Sequence, residues 1–188
     1  VDARSNLGRF GALLYREIDM RPEQAAAAQL RAKGIEPSTV KTVIMTHLHP
    51  DHASAIADFP EATFLVSQAE WEAAADAGPR DGYVRSQFDH GFDYRLVDFD
   101  SDATSSFSGF ARSFDVFGDG SVRLVYTPGH TLGHMSVVLQ TGAGEVLVAG
   151  DAIFMHRTLT EDRLPYALPD VHLFRRSLRE LRQYLKET

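Results

Sequence analysis

The chain contains no cysteine. No disulfide can form, and any bound metal must rest on histidine, aspartate or glutamate. Thiolate zinc fingers and iron–sulfur clusters are therefore excluded, and the redox compartment is not encoded. No apolar run reaches the roughly 18 residues that a spanning helix needs. Positive charge is also in short supply: 19 Lys and Arg against 26 Asp and Glu give a formal net charge of −7. A grip on phosphate backbones needs clustered cations, and an anionic membrane surface repels this balance. Neither nucleic acid nor membrane is expected as a partner. Internal repeats and low-complexity tracts are absent as well.

What is present is an ordinary globular composition. The 188 residues are 44% hydrophobic and 24% charged, enough for a single domain over 1–188 with a real core. Pro22 near the start of PEQAAAAQLRAK and Gly34 after it predict a helix between them. KTVIMT (41–46) and ATFLVS (62–67) read as strands, and 68–77 as a helix carrying Trp71. Residues 78–108 are polar, with one short apolar piece at Leu96-Val97. Phe110, Arg112, Phe114 and Val116 share one parity, and Gly118-Asp119-Gly120 then turns the chain into SVRLVY, a hairpin signal. A second hairpin joins HMSVVLQ to EVLVA through TGAG. Asp170 caps a last helix whose apolar stripe is Val171, Phe174, Leu178, Leu181 and Leu185; Arg175, Arg176, Arg179 and Arg182 fall largely off it, on a solvated face. This mixture of elements indicates an α/β domain.

The chemistry sits at strand ends. VIMTHLHPDHA (43–53) closes an apolar strand with three histidines and an aspartate. On an extended segment His47 and His49 point to one side and can grip one cation. Pro50 stops the strand, and Asp51 and His52, past the bend, can face a second cation. Zinc wants about four ligands, one of them water in a catalytic site, so further ligands are required. They are found where other strands end: His130 after SVRLVY and Asp151 after EVLVA. A carboxylate has two oxygens and can bridge two cations. Each piece alone is weak; three of them, each at a strand end, define a dinuclear metal site.

HxHxDH at 47–52, TPGHTLGH at 127–134 and GDA at 150–152 resemble the metallo-β-lactamase fold superfamily. The resemblance runs from about Lys41 to the final helix. It implies an αββα four-layer sandwich, in whole or in part, with two divalent metal ions at the edge between its sheets. By that pattern His47, His49 and His130 hold one metal, Asp51 and His52 the other, and Asp151 bridges. His134 is then not a ligand but a support behind the ligands. VSQAEWEAA, FGDGSVRLVYTPGHTLGHMSVVL and VLVAGDAIF are most similar to the N-acyl homoserine lactonases of the quorum-quenching branch.

That branch implies a small-molecule lactone or ester substrate, opened by a hydroxide that bridges the cations. A water shared by two cations falls in pKa from about 15.7 towards 7, so no Ser or Cys nucleophile is needed. Asp51 is the expected proton carrier. Zinc suits the ligands, as do iron, cobalt and manganese. Two departures stand out. Phe154 occupies the place of a substrate-binding Tyr and has no hydroxyl; it either meets substrate or packs in the core. A further metal histidine usual in the family has no match here, since His172 reads as a helix residue and His156 as a loop residue. With no initiating Met and Val1-Asp2-Ala3 as the remnant of a first strand, the chain is expected to be a portion of a longer protein. Phe107, Phe110, Phe114 and Phe117 are expected in the core, with an acyl-chain pocket as the alternative, and SNLGRFGALLY (5–15) as a lid or a packed loop. No signal segment is evident, so the cytoplasm is the default compartment. The competing functions are hydrolysis of thioesters, aryl esters or phosphotriesters, and a degenerate non-catalytic metal-binding domain.

Overall fold

In a computed structural model, which describes residues 21–77 and 81–187, the chain gathers into two compact units. One holds the described residues up to Leu65 and those of Ala74–Arg95; the other holds Val66–Ala73 and the chain from Leu96 onward. The segment 5–15 and the remnant Val1-Asp2-Ala3 lie outside the described residues.

In the first unit the expected opening helix is broken in two. Pro22–Gln24 forms a single 3-10 turn, Ala25 is extended (φ −62°, ψ 141°), and helix α1 runs over Ala26–Ala32. The Gln24 side chain turns back to accept the Arg21 amide at 2.7 Å, which closes the first turn on itself. The predicted stop at Gly34 is a Schellman cap. Gly34, at φ +77°, donates to the Arg31 carbonyl, and Ile35 donates to that of Leu30. Strand β1 (Thr42–Ile44) is shorter than the apolar run suggests and pairs in parallel with β2 (Thr63–Ser67), Thr42 opposite Thr63 and Ile44 opposite Leu65. Strand β3 (Tyr94–Val97) completes a sheet of order β1-β2-β3. The four-residue helix α2 (Pro50–Ala53) follows β1 directly, with Pro at its first position, where no N–H is needed. Helix α3 (Gln68–Asp76) follows β2 without a loop, and its residues up to Ala73, Glu70 among them, belong to the second unit.

The second unit carries an antiparallel sheet of order β4-β5-β6-β7-β8, comprising Ser105–Phe107, Phe110–Asp115, Val122–Tyr126, Met135–Thr141 and Gly144–Val148. Both predicted hairpins are present. In the first, the Asp115 carboxylate accepts the amides of Gly118 and Gly120 at 2.9 and 2.8 Å, which tightens the turn. The short helix α4 spans His156–Glu161, and α5 spans Val171–Glu187. Asp170 caps α5 as predicted: its Oδ1 accepts from the His172 and Leu173 amides at 2.8 and 2.9 Å.

The core of this unit joins Phe110, Val125, Val138 and Ala152 to Phe174, Leu178, Leu181 and Tyr184 of α5. The stripe of α5 is therefore rotated from the one expected. Val171 and Leu185 are exposed, while Ser177 and Tyr184 are buried. Polar bonds explain the shift: Ser177 Oγ donates to the Pro128 carbonyl at 2.7 Å, and the Tyr184 hydroxyl donates to Glu145 at 2.7 Å. Arg182 is not merely solvated either, since it donates to the Leu159 carbonyl at 2.6 Å and pairs with Asp162 at 2.5 Å. Of the phenylalanines, Phe110 is core, Phe107 packs against it, Phe114 is partly buried and Phe117 is exposed.

Burial, with the Glu145 carboxylate added, raises the Tyr184 phenol above its ordinary value of 10.0. Unfolded tyrosine loses its proton near 10.0, the folded one only at higher pH. The stability held in this hydroxyl is thus intact below the unfolded value of 10.0 and is lost as pH rises from there through the folded value. Tyr184→Phe should cost about 1 kcal/mol at neutral pH and should flatten the alkaline decline. Urea melts on either side of pH 10 test this; an unchanged decline rejects it.

Candidate metal centre

The strand-end cluster of the first unit is built by an abrupt change of backbone. The Met45 amide still donates to Leu65, as the strand does, at 3.0 Å. His49 is extended (φ −66°, ψ 158°), and its carbonyl then accepts the amides of His52 and Ala53 to open α2. This change from extended to helical backbone folds three imidazoles together. The His47 ring lies 4.7 Å from that of His49 and 4.0 Å from that of His52. The ligand nitrogens of His47 and His49, and those of His47 and His52, lie within 4.8 Å of one another. His47 is fully buried, and its Nδ1 is 3.1 Å from Thr46 Oγ1. Asp51 Oδ2 lies 3.5 Å from His52 Nε2, and the Asp51 side chain is three-quarters exposed.

The second unit supplies the other predicted residues. His130 lies in the loop between β6 and β7, and Asp151 lies in a 3-10 turn (Gly150–Ala152) after β8. Asp151 Oδ2 is 3.3 Å from His130 Nε2. His134 is fully buried, its Nε2 accepts the Asp151 amide at 3.1 Å, and its Nδ1 is 2.9 Å from Thr127 Oγ1. Both of its ring nitrogens thus lie within hydrogen-bond distance of protein atoms. Phe154 is 47% exposed, so it is not a core residue; its ring meets that of His130 edge to face, centroids 5.2 Å apart. His172 lies in α5, as expected, whereas His156 opens α4 rather than lying in a loop; both are exposed.

Several residues that fix this geometry were not anticipated from the sequence. The loop 127–134 is held on many sides. Glu70, fully buried, accepts from Thr131 Oγ1 at 2.5 Å and from the Gly133 amide at 3.2 Å. Ser67 Oγ donates to the Gly133 carbonyl at 2.7 Å and accepts the Glu70 amide at 3.0 Å. The Tyr126 hydroxyl donates to the Leu132 carbonyl at 2.7 Å. A ligand on such a loop is preorganised. In the first unit Gly82 and Tyr83 lie against His49; a Cβ at Gly82 would stand 3.0 Å from His49 Nε2, and the Tyr83 ring is 5.2 Å away. Ser67-Gln68-Ala69-Glu70 has the Ser-x-x-Glu form of a capping box, a signal that was available.

The donor set of both clusters fits divalent metal: imidazole nitrogens and carboxylates, on the ends of regular elements, with no thiol among them. Residues 18–188 match the metallo-beta-lactamase superfamily, and the chain belongs to that superfamily and has its fold. Among curated relatives it is 34% identical over 173 residues to the N-acyl homoserine lactonase AttM of Azorhizobium caulinodans, covering 90% of this chain and 62% of that protein. It is 32% identical over 191 residues to AttM of Rhizobium radiobacter, covering 100% and 68%. A solved N-acyl homoserine lactone hydrolase, with the product N-hexanoyl-L-homoserine bound at its catalytic metal centre, matches with 28% identity and a TM-score of 0.74, over 90% of this chain and 60% of that one. The chain thus spans between 60% and 68% of the length of these relatives. Among the described residues no helix is long and apolar enough to cross a membrane.

Proposed function

We propose that this chain, read as one domain over 1–188, belongs to a dinuclear metal-dependent hydrolase that opens a lactone ring, an N-acyl homoserine lactone in particular. The observation that carries the reading is the pair of strand-end clusters, His47, His49, Asp51 and His52 in one unit and His130 with Asp151 in the other, in a chain similar to such lactonases. His47, His49 and His130 would hold one cation, Asp51 and His52 the second, and Asp151 would bridge. Zinc is the expected metal, and iron, cobalt and manganese suit the same donors. Bound cations supply an acidified water and a Lewis acid for the carbonyl. Asp51, on an exposed face of its cluster, takes the proton of the attacking water and passes it to the leaving alkoxide. His134 acts behind Asp151.

Phe154 offers substrate an exposed ring face beside His130 and no donor. Phe154→Tyr places a hydroxyl on that ring. One hydrogen bond to the reacting carbonyl, at about 0.5–1.5 kcal/mol, raises kcat by roughly two- to twelvefold. Steady-state kinetics on a lactone decide it, and an unchanged kcat removes Phe154 from the carbonyl's surroundings.

The test of the function is acid release from an N-acyl homoserine lactone by metal-loaded protein, with a chelator control and a metal count. Chelator-sensitive release with two metals per chain supports the reading. Two metals and no release overturn the lactone assignment in favour of thioesters, aryl esters or phosphotriesters. One metal or none, with no release, indicates a non-catalytic metal-binding domain.

A further inference from the structure

Three buried side chains link the backbone on the two sides of Gly150. Ser136 Oγ donates to the Ala149 carbonyl at 3.0 Å. Thr127 Oγ1 lies 2.8 Å from Ser136 Oγ and 2.9 Å from His134 Nδ1. The Asp151 amide donates to His134 Nε2 at 3.1 Å. Ser136, Thr127 and His134 are each 0% exposed.

Counting protons fixes the direction of every bond. The one proton of Ser136 goes to Ala149, so Ser136 accepts from Thr127. The one proton of Thr127 is thereby spent, so Thr127 accepts from His134, whose Nδ1 must carry a proton. His134 Nε2 is then bare, the state that the Asp151 amide requires. The other tautomer would set Nε2–H against the Asp151 N–H, donor to donor. Gly150 between the two ends has φ +53°, a left-handed turn that glycine adopts without strain.

We infer that Thr127 and Ser136 are positioning residues: they hold His134 in its Nδ1–H tautomer and so lock the turn that carries the Asp151 carboxylate. The metal part of this inference rests on the function proposed above; the tautomer part does not. Thr127→Val keeps the shape and removes the hydroxyl that accepts from His134 Nδ1–H and donates to Ser136. Loss of a group that orients a ligand costs about 10- to 100-fold in metal affinity. Thr127→Ser restores the hydroxyl.

The experiment is nitrogen NMR of histidine-labelled, metal-free protein, followed by zinc affinity from competition with a chromophoric chelator. Wild type and Thr127→Ser are expected to show His134 protonated at Nδ1 and bare at Nε2, with equal zinc affinity. Thr127→Val and Ser136→Ala are expected to mix the tautomers and to bind zinc about 10- to 100-fold more weakly. A protonated Nε2 in the wild type overturns the inference without any variant. So does a Thr127→Val protein with unchanged tautomer and affinity, or a folded Thr127→Ser protein that binds as weakly as the valine variant. If wild type binds no zinc, the dinuclear reading fails, while the tautomer signature still decides the relay.

Discussion

Gly133→Ala is expected to lower the stability of the protein by at least about 3 kcal/mol, the upper range for overpacking, or to prevent folding. A Cβ on Gly133 would stand 1.9 Å from the Glu70 amide nitrogen, 2.3 Å from its Cα and 2.5 Å from its Cβ. Two of these atoms are backbone in helix α3, which cannot swing aside as a side-chain tip can. Separation of loop and helix would also break the bonds from Thr131 and Gly133 to Glu70, leaving a carboxylate buried without those donors. The methyl group thus forces a choice between steric overlap and the loss of those two donors to Glu70. Gly142→Ala is the control: nothing lies within 4 Å of its Cβ, so it should stay within about 0.5 kcal/mol of wild type. Urea melts of the two variants measure the difference. A Gly133→Ala protein that melts with wild type would mean that the loop does not rest on α3.

This close contact also shows what the sequence conceals. Hairpins β5–β6 and β7–β8 were legible because their turn residues and alternation are local. The clustering of strand-end side chains able to hold a metal was legible because histidine and aspartate crowd into 47–52 and recur at His130 and Asp151. Glu70 was not. A glutamate in a helix reads as a solvated group, and its partners Thr131 and Gly133 lie 61 and 63 residues away. Thr127 and Ser136 were hidden for another reason. A hydroxyl in a strand or loop is compatible with almost any surroundings, and only proton counting around His134 gives these two a direction. The rotated stripe of α5 has the same origin. Hydrophobicity favours Val171 and Leu185, but a loop carbonyl at Pro128 and a carboxylate at Glu145 draw Ser177 and Tyr184 inward. Local periodicity thus locates elements, whereas long-range polar bonds decide which face they bury.

Asp51→Asn is expected to lower lactone turnover by about 10²–10⁴-fold, the usual contribution of a positioned acid–base group, while leaving the fold and most of the metal in place. The fold should survive because the Asp51 side chain is three-quarters exposed, and asparagine keeps its shape in the first turn of α2. The metal should largely remain, because the amide oxygen can still coordinate and the neighbouring His47, His49 and His52 are untouched. What asparagine cannot do is take up a proton at neutral pH. The loss should therefore fall on kcat rather than KM, and metal analysis of the same sample should match wild type. If turnover persists, another group carries the proton, and Asp51 is at most a ligand. If metal and turnover are lost together, coordination is its main role, and a variant that keeps the charge, Asp51→Glu, should recover metal ahead of activity.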